Sequence, residues 1–232
     1  SMSVVFALLL NADNVVRREQ LELIAHYYDA GTAAEVESLS SATDSLHPML
    51  RLPLAALAFP ALRRHPRPKL QIFVIVLKLL IKADGKVSLE EYCLAKLVGI
   101  QVVDALNPAT SRVMGRIKLG ESIAELRDLF SVVAEYGHDD TESARRAYVL
   151  GLNEVLPDAK PSYSPPADWA MALDRALPKL DLLTPAGKEL VVRGLTHAIS
   201  ADGVVSINEA ELLRIVCAAL HCPLPPILQQ AA

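Results

Sequence analysis

Four acidic residues recur at one spacing in two nearly identical stretches, "LIKADGKVSLEEY" at 80–92 and "AISADGVVSINEAE" at 198–211. Both stretches contain the pattern Asp-Gly-x-Val-Ser-x-x-Glu. Carboxylate oxygens are the ligands that Ca²⁺ and Mg²⁺ prefer in proteins. The chemistry to consider first is therefore binding of a divalent cation. The candidate ligands are Asp84, Glu91, Asp202 and Glu209.

An EF-hand calcium loop needs carboxylates near its start as well as the glutamate at its end. When the Asp-Gly pair is placed at the centre of such a loop, Leu80 and Lys82 take the early ligand positions in the first stretch. Ala198 and Ser200 take them in the second. None of these side chains is a carboxylate, so a high-affinity calcium site is not expected. A weak divalent-cation site, shared by the four acids, stays open as an alternative.

The same pattern also predicts a tight corner between two helices. Glycine tolerates the left-handed backbone with which helices often end. The serine can cap the next helix, and the glutamate three residues later can complete a reciprocal capping box. The valine before the serine is expected to turn into the core. We therefore interpret both stretches as helix–loop–helix corners. The structural residues are Gly85, Val87, Ser88, Gly203, Val205 and Ser206.

The elements that position these corners are expected to be helices. Apolar residues recur at spacings of three and four, and alternation never persists, which predicts an all-α bundle of about nine to eleven helices. The run "LQIFVIVLKLLIK" at 70–82 is apolar almost all round and predicts a buried central helix. Ser122 and Glu125 predict a further capping box. Pro178 predicts the end of the helix that starts near Asp168.

Proline-rich stretches suggest how the chain is divided. "PDAKPSYSPP" holds four prolines in ten residues and is the strongest candidate for a linker. We predict an N-terminal helical segment at 1–66, a first lobe at 67–157, a linker at 158–167 and a second lobe at 168–232. Each lobe then contains one Asp-Gly corner. Packing of the lobes into one compact domain is the alternative.

Composition excludes several classes of function. The net charge of −4 argues against a nucleic-acid-binding protein, and 52% hydrophobic residues argue against disorder. Three cysteines without a disulfide-framework spacing indicate a reducing compartment. No apolar run is long enough to span a bilayer, so we expect a soluble chain. Its abrupt apolar start suggests a piece of a longer protein. The sequence leaves the oligomeric state open.

Two further stretches each allow a functional and a structural interpretation. "CAALHC" offers Cys217, His221 and Cys222 to a zinc ion, but three ligands fall short of a closed shell, and packing at a helix end is the favoured reading. "RRHPRPK" at 63–69, after "LPLAALAFPAL", could contact acidic lipid headgroups, and an exposed loop is the favoured reading. No nucleophile elbow or phosphate loop occurs, so we expect no catalytic residue and no bound cofactor.

Helix pairs joined by "ADG-x-V-S-x-x-E" resemble the TerB-like fold, an all-helical module of tellurite-resistance proteins and DnaJ-type co-chaperones. Asp202 lies 118 residues after Asp84, which is wider than usual in that fold and implies inserted helices. The resemblance implies, as the second hypothesis for function, a sensor in which the four corner acids bind a divalent cation and change the helix packing.

A second resemblance covers nearly the whole chain. The stretches "RREQLELI", "LRLPLAALAFPALRR", "LDLLTPAGKELVVRGL" and the ending from "ISADGVVSINEAELL" are similar to the C-terminal extension of bacterial HtpX-like and CAAX-prenyl-protease-like membrane zinc metallopeptidases. The zinc-binding His-Glu-x-x-His of that family is absent here, so the zinc would belong to a protease domain outside this chain. The resemblance implies a non-catalytic regulatory or interaction domain at the cytoplasmic face of the inner membrane. Its implied partner is another protein or the protease domain itself.

Overall fold

The computed structural model describes residues 1–108, 115–157 and 162–226. Within these ranges the chain forms eleven α-helices and a short 3₁₀ turn, with no strand beyond an isolated bridge between Ile117 and Leu183. The all-α class and the number of helices are therefore confirmed. Of the predicted linker 158–167, residues 158–161 lie outside the described ranges.

The chain divides into two compact units, Ser1–Thr110 and Ser111–Ala232. Each unit contains one Asp-Gly corner, and the predicted lobe 67–157 is distributed over both units. The helices of unit 1 are α1 (Met2–Leu8), α2 (Asn14–Tyr27), α3 (Ala30–Asp44), α4 (Pro48–Leu62), α5 (Arg67–Leu80) and α6 (Leu89–Leu106). The helices of unit 2 are α7 (Ile123–Gly137), α8 (Thr141–Val155), α9 (Trp169–Leu180), α10 (Pro185–Ile199) and α11 (Ile207–Ala219).

The shortest helix, α1, forms the centre of unit 1. It packs against α3, α4 and α5, and the ring of Phe6 lies 5.1 Å from Phe73 and 5.6 Å from Tyr28 between centroids. The prediction of a buried central helix at 70–82 is wrong, because α5 packs on α1, α2 and α6 through one side only. Its other side exposes Ile75 and Leu79.

In unit 2 the central helix is α7, which packs against α8, α9, α10 and α11. Its inward face buries Leu129, Phe130 and Val133. The closest helix pair is α8 with α10, which cross at two glycines. A Cβ atom on Gly151 would lie 2.7 Å from the carbonyl oxygen of Gly194, and one on Gly194 would lie 2.6 Å from that of Gly151. Glycine is therefore required at this crossing on both helices.

In the described parts of the chain, every helix is too short or too polar to cross a bilayer.

Candidate functional site

The first Asp-Gly corner joins α5 to α6. Gly85 has a φ of +75°, which a side chain would strain. Asp84 Oδ1 accepts a hydrogen bond from the amide of Lys86 at 2.9 Å and so closes the turn. Ser88 and Glu91 form a capping box: the Glu91 amide donates to Ser88 Oγ at 3.3 Å, and the Ser88 amide donates to Glu91 Oε2 at 3.0 Å.

The second corner joins α10 to α11 with the same bonds. Gly203 has a φ of +82°, and Asp202 Oδ1 accepts from the Val204 amide at 2.9 Å. The Glu209 amide donates to Ser206 Oγ at 3.2 Å, and the Ser206 amide donates to Glu209 Oε2 at 2.8 Å. The repeated sequence therefore produces the same local structure in each unit.

The valines that precede the two caps do not reach the core. Val87 and Val205 are each half-buried, whereas the sequence predicts that they turn into the core. The residue after the first cap, Leu89, is buried instead, and its counterpart Ile207 is exposed. The corners are therefore held mainly by their hydrogen bonds, and each valine covers only the edge of its unit.

The two capping glutamates lie in different surroundings. Glu209 is buried, with 1% of its surface exposed, whereas Glu91 is half-buried. Burial raises the pKa of the Glu209 carboxyl, and the negative charge of Asp202 raises it further. Its second oxygen, Oε1, has no hydrogen-bond donor among the described residues. The hydrogen bonds from Ser206 and the nearby His138 act in the opposite direction on this pKa.

Glu209 reaches this buried position because the end of α7 leaves space for it. A Cβ atom on Gly137 would lie 2.3 Å from Glu209 Oε1, so a side chain at position 137 would displace the carboxylate from this position. The next residue, His138, has its Nδ1 atom 3.1 Å from the carbonyl oxygen of Ala134, to which it donates. The same Nδ1 atom lies 3.9 Å from Glu209 Oε1, beyond hydrogen-bond distance.

The four predicted cation ligands are engaged within their own corners. Asp84 and Glu91 belong to unit 1, and Asp202 and Glu209 belong to unit 2. Each corner thus offers two carboxylates, which already accept bonds from the loop, whereas Ca²⁺ takes six or more oxygen ligands. Within the described ranges, no group of three or more His, Cys, Asp and Glu side chains is arranged to hold a metal ion. The shared cation site stays a prediction.

A groove of about 650 Å³ opens beside the second corner. One wall is the outer face of α8, where Val149 and Leu150 are 44% and 49% exposed. Arg146 lies one turn before this apolar pair, and Asp202 of the corner lines the opposite side. His138 also contributes to the lining, so the groove adjoins the buried glutamate described above.

The sequence patterns described above do not predict this groove, although α8 carries a signal for it. Exposed residues on α8 recur at helical spacing, and the apolar pair Val149 and Leu150 continues the polar face formed by Arg145 and Arg146. Arg145 pairs with Glu142 at 3.1 Å. Arg146 donates to the neutral hydroxyl Ser143 Oγ at 3.0 Å. The apolar pair therefore lies exposed within a charged helix face.

A buried ion pair lies at the C-terminal end of α11. The Lys188 side chain is fully buried, and its Nζ atom donates to Asp181 Oδ1 at 2.6 Å and to the carbonyl oxygen of Leu220 at 2.9 Å. The same Asp181 oxygen lies 3.0 Å from His221 Nδ1. His221 has a φ of +54° and ends the helix in the left-handed conformation. The cluster therefore ties α10 to the end of α11.

The cysteines beside this cluster fit packing better than metal ligation. Cys217 is buried, and burial raises its pKa to about 12. Burial also raises the pKa of Cys222, and the positive charge of Lys188 partly offsets this rise. Zinc binds the thiolate form, which both shifts disfavour. His221, the third residue of the "CAALHC" hypothesis, is already oriented by Asp181.

No protein-family model matches the chain, and no curated protein or solved structure matches it significantly.

Proposed function

We propose that the chain is a non-catalytic protein-interaction module and that it binds an acidic, apolar segment of a partner protein in the groove along α8. The observation that carries this proposal is the exposed apolar pair Val149 and Leu150, set beside the guanidinium of Arg146. Arginine is among the residues that most often dominate binding energy in protein interfaces, and the exposed apolar pair beside it adds surface that a partner can bury. A leucine side chain on the partner would fill the groove, and a carboxylate would pair with Arg146.

The two resemblances supply the biological setting of the proposal. If the chain is the extension of a membrane zinc metallopeptidase, the partner is its protease domain or a protein delivered to it. The module would then regulate or recruit at the cytoplasmic face of the inner membrane. The support for this parentage is the set of sequence stretches quoted above.

The test uses the whole chain and a fluorescein-labelled peptide that alternates leucine with glutamate. Fluorescence polarisation should show saturable binding of this peptide. A peptide with lysine in place of glutamate should bind at least about tenfold more weakly. Leu150→Glu should weaken binding of the acidic peptide by about tenfold to a hundredfold. Leu182→Glu is the matched control, since Leu182 is 52% exposed elsewhere in unit 2 and should leave binding unchanged.

A charge exchange makes the test specific for the groove. Arg146→Glu should reverse the preference, so that the lysine peptide binds more tightly than the glutamate peptide. If the glutamate and lysine peptides bind equally, or if Leu150→Glu binds like the unsubstituted chain, the groove is not the binding site.

A further inference from the structure

One stretch of unit 1 has a charge opposite to that of the chain. Between Asp44 and Asp84 there are 39 residues without a single aspartate or glutamate, and seven of them are arginine or lysine. The chain as a whole carries −4, so residues 45–83 carry +7 and the remaining residues carry −11. The seven cations are Arg51, Arg63, Arg64, Arg67, Lys69, Lys78 and Lys82.

The helix α4 in this stretch is apolar on two opposite sides. Its inner side, with Leu52, Ala55 and Leu62, is buried against α1 and α6. Its outer side carries a row at helical spacing, which we call the outer stripe and which consists of Leu50, Leu54, Leu57 and Ala61. At 76% exposure, Leu57 is the most exposed large apolar side chain in the described ranges.

The outer stripe ends directly at four exposed cations. We call residues 63–69 the basic segment; its cations are Arg63, Arg64, Arg67 and Lys69. Arg67 and Lys69 lie in the first turn of α5, where the helix dipole favours acids and disfavours cations. Arg67 has an internal role, because its guanidinium donates to the carbonyl oxygen of Leu106 at 2.7 Å. For Arg63 and Arg64, no carboxylate within ion-pair distance is found in the described part of the chain.

We propose that the outer stripe and the basic segment together dock the protein on an anionic membrane surface. A helix that lies in the headgroup region needs apolar side chains on one face and cations beside them. Leu50 to Ala61 spans about 16 Å of helix, at about 1.5 Å per residue. The leucines would enter the boundary of the acyl chains, and the basic segment would meet the lipid phosphates and carboxylates.

Nucleic acid also carries phosphates, but the outer stripe has no role on it. From Leu46 to Leu70 the sequence contains no Ser, Thr, Asn, Gln or Tyr, the uncharged side chains that most often supplement cations in contacts to nucleic-acid phosphates. Exposed leucines gain nothing from a phosphate backbone, whereas they gain burial in a bilayer. The combination therefore favours lipid.

The first experiment is co-sedimentation of the whole chain with vesicles. Vesicles of equimolar phosphatidylcholine and phosphatidylserine should retain the protein, and vesicles of phosphatidylcholine alone should retain much less. Added salt should weaken the binding to anionic vesicles, because it screens the attraction between the basic segment and the lipid headgroups. Duplex DNA, at the same phosphate concentration, should not compete for the protein.

Two matched pairs of variants assign the binding to this surface. Arg63→Glu with Arg64→Glu should weaken binding by about thirtyfold or more, at about fivefold per lost cation. The control with the same change in net charge is Arg18→Glu with Arg175→Glu, two exposed arginines outside the stretch. Leu57→Asp should weaken binding about tenfold, whereas Val15→Asp, at another exposed apolar position in unit 1, should not.

A fluorescent reporter separates insertion from simple charge attraction. Trp169 is the only tryptophan, and Trp169→Phe keeps an aromatic ring beside Tyr136. On that background, Leu57→Trp should shift its emission to the blue when anionic vesicles are added, and Val15→Trp should not. Circular dichroism of every variant confirms that it is folded. The proposal is overturned if vesicles do not retain the folded protein, if both double charge reversals weaken binding equally, if Leu57→Trp shows no shift, or if DNA displaces the vesicles.

Discussion

The two Asp-Gly corners have the same hydrogen bonds but different neighbours. At the first corner, the Arg51 side chain bridges from the carbonyl oxygen of Leu8 to Glu90, whose Oε1 lies 2.6 Å from Arg51 Nε. The space left there is only about 140 Å³. At the second corner the capping Glu209 is buried, and a groove of about 650 Å³ remains open.

This difference separates what the repeated motif determines from what it does not. The motif fixes the turn and the cap, because these depend on residues within eight positions of each other. The use of the corner depends on side chains supplied by other helices. In our proposals unit 2 therefore binds a protein segment beside its corner, whereas unit 1 uses a surface on α4 instead.

The helices that follow the two corners, α6 and α11, are also stabilised at their C-terminal ends in a comparable way. A cation near the start of the preceding helix bonds to the end of the helix after the corner: Arg67 of α5 to the carbonyl oxygen of Leu106, and Lys188 of α10 to that of Leu220. Arg67 is exposed, whereas Lys188 is fully buried and also paired with Asp181. Substitutions at matched positions in the two units can test each of these differences.

The largest difference in stability is expected between variants of Arg67 and Lys188, the cations that bond to the ends of α6 and α11. Lys188→Met should lower the free energy of unfolding by about 3 kcal/mol, because it breaks the buried ion pair with Asp181, which keeps only His221 among the described residues, and leaves a buried carbonyl without its donor. Arg67→Met should cost less than about 1 kcal/mol, since water can replace an exposed donor. Urea unfolding followed by circular dichroism measures both, and Trp169 fluorescence reports on unit 2. Equal losses of unfolding free energy in the two variants would show that the burial of Lys188 does not increase its contribution to stability.

The capping serines should differ by a smaller amount. Ser88→Ala should cost about 1 kcal/mol, the usual effect of losing an N-cap. Both hydroxyls also donate to their capping glutamates, Ser88 Oγ to Glu91 Oε2 at 2.7 Å and Ser206 Oγ to Glu209 Oε2 at 2.9 Å. Ser206→Ala should cost about 2 kcal/mol, because Glu209 is buried and water cannot replace the lost donor. Thermal melts of the two variants under identical conditions make the comparison. Ser41→Ala, at an exposed position on α3, controls for the loss of a hydroxyl.

The pH dependence should distinguish the capping glutamates. The folded state raises the pKa of Glu209, so its contribution to stability is complete below the unfolded pKa and declines as pH rises through the folded pKa. Glu209→Gln removes this loss, so the variant should gain stability relative to the unsubstituted chain as pH rises from about 4 to 7. Urea midpoints across that range measure the trend, with Glu91→Gln as the matched control. A flat difference for Glu209→Gln would show that its carboxyl is not penalised by burial.

The smallest effect is expected at the aspartates. Asp84→Ala and Asp202→Ala should each cost about 1 kcal/mol, because each removes one hydrogen bond to the turn. The losses in melting temperature should be the same with chelator and with millimolar Ca²⁺ or Mg²⁺. A bound cation at a hundred times its dissociation constant would add about 2.7 kcal/mol. A rise in melting temperature that needs Ca²⁺ and disappears in either variant would support the cation sensor instead.

The corners could be predicted because their bonds join residues close in sequence. The other predicted capping box failed for a long-range reason: the Ser122 hydroxyl makes no cap bond, and Glu125 instead binds Lys179 at 2.8 Å. Pro178 does not end its helix, which continues to Leu180, because a proline in the last turn disturbs few backbone bonds.

The burial of individual side chains and the position of the groove were less predictable from the sequence than the corners. The sequence around Glu209 resembles that around Glu91, and the difference between them comes from Gly137 and His138, about seventy residues away in the chain. Likewise, the apolar composition of α5 did not reveal that α1 occupies the centre of unit 1. Local pattern determines which helices form, whereas their partners determine which faces are covered.

The glycine crossing of α8 and α10 has a mechanical consequence for the groove. The helix α8 forms one wall, and α10 leads directly into the corner that forms the other. At Gly151 and Gly194 the two backbones touch without intervening side chains, so no rotamer change can alter their separation. The width of the groove is therefore set before a ligand arrives. A partner segment would enter a preformed slot, and little of its binding energy would be lost to ordering the receptor.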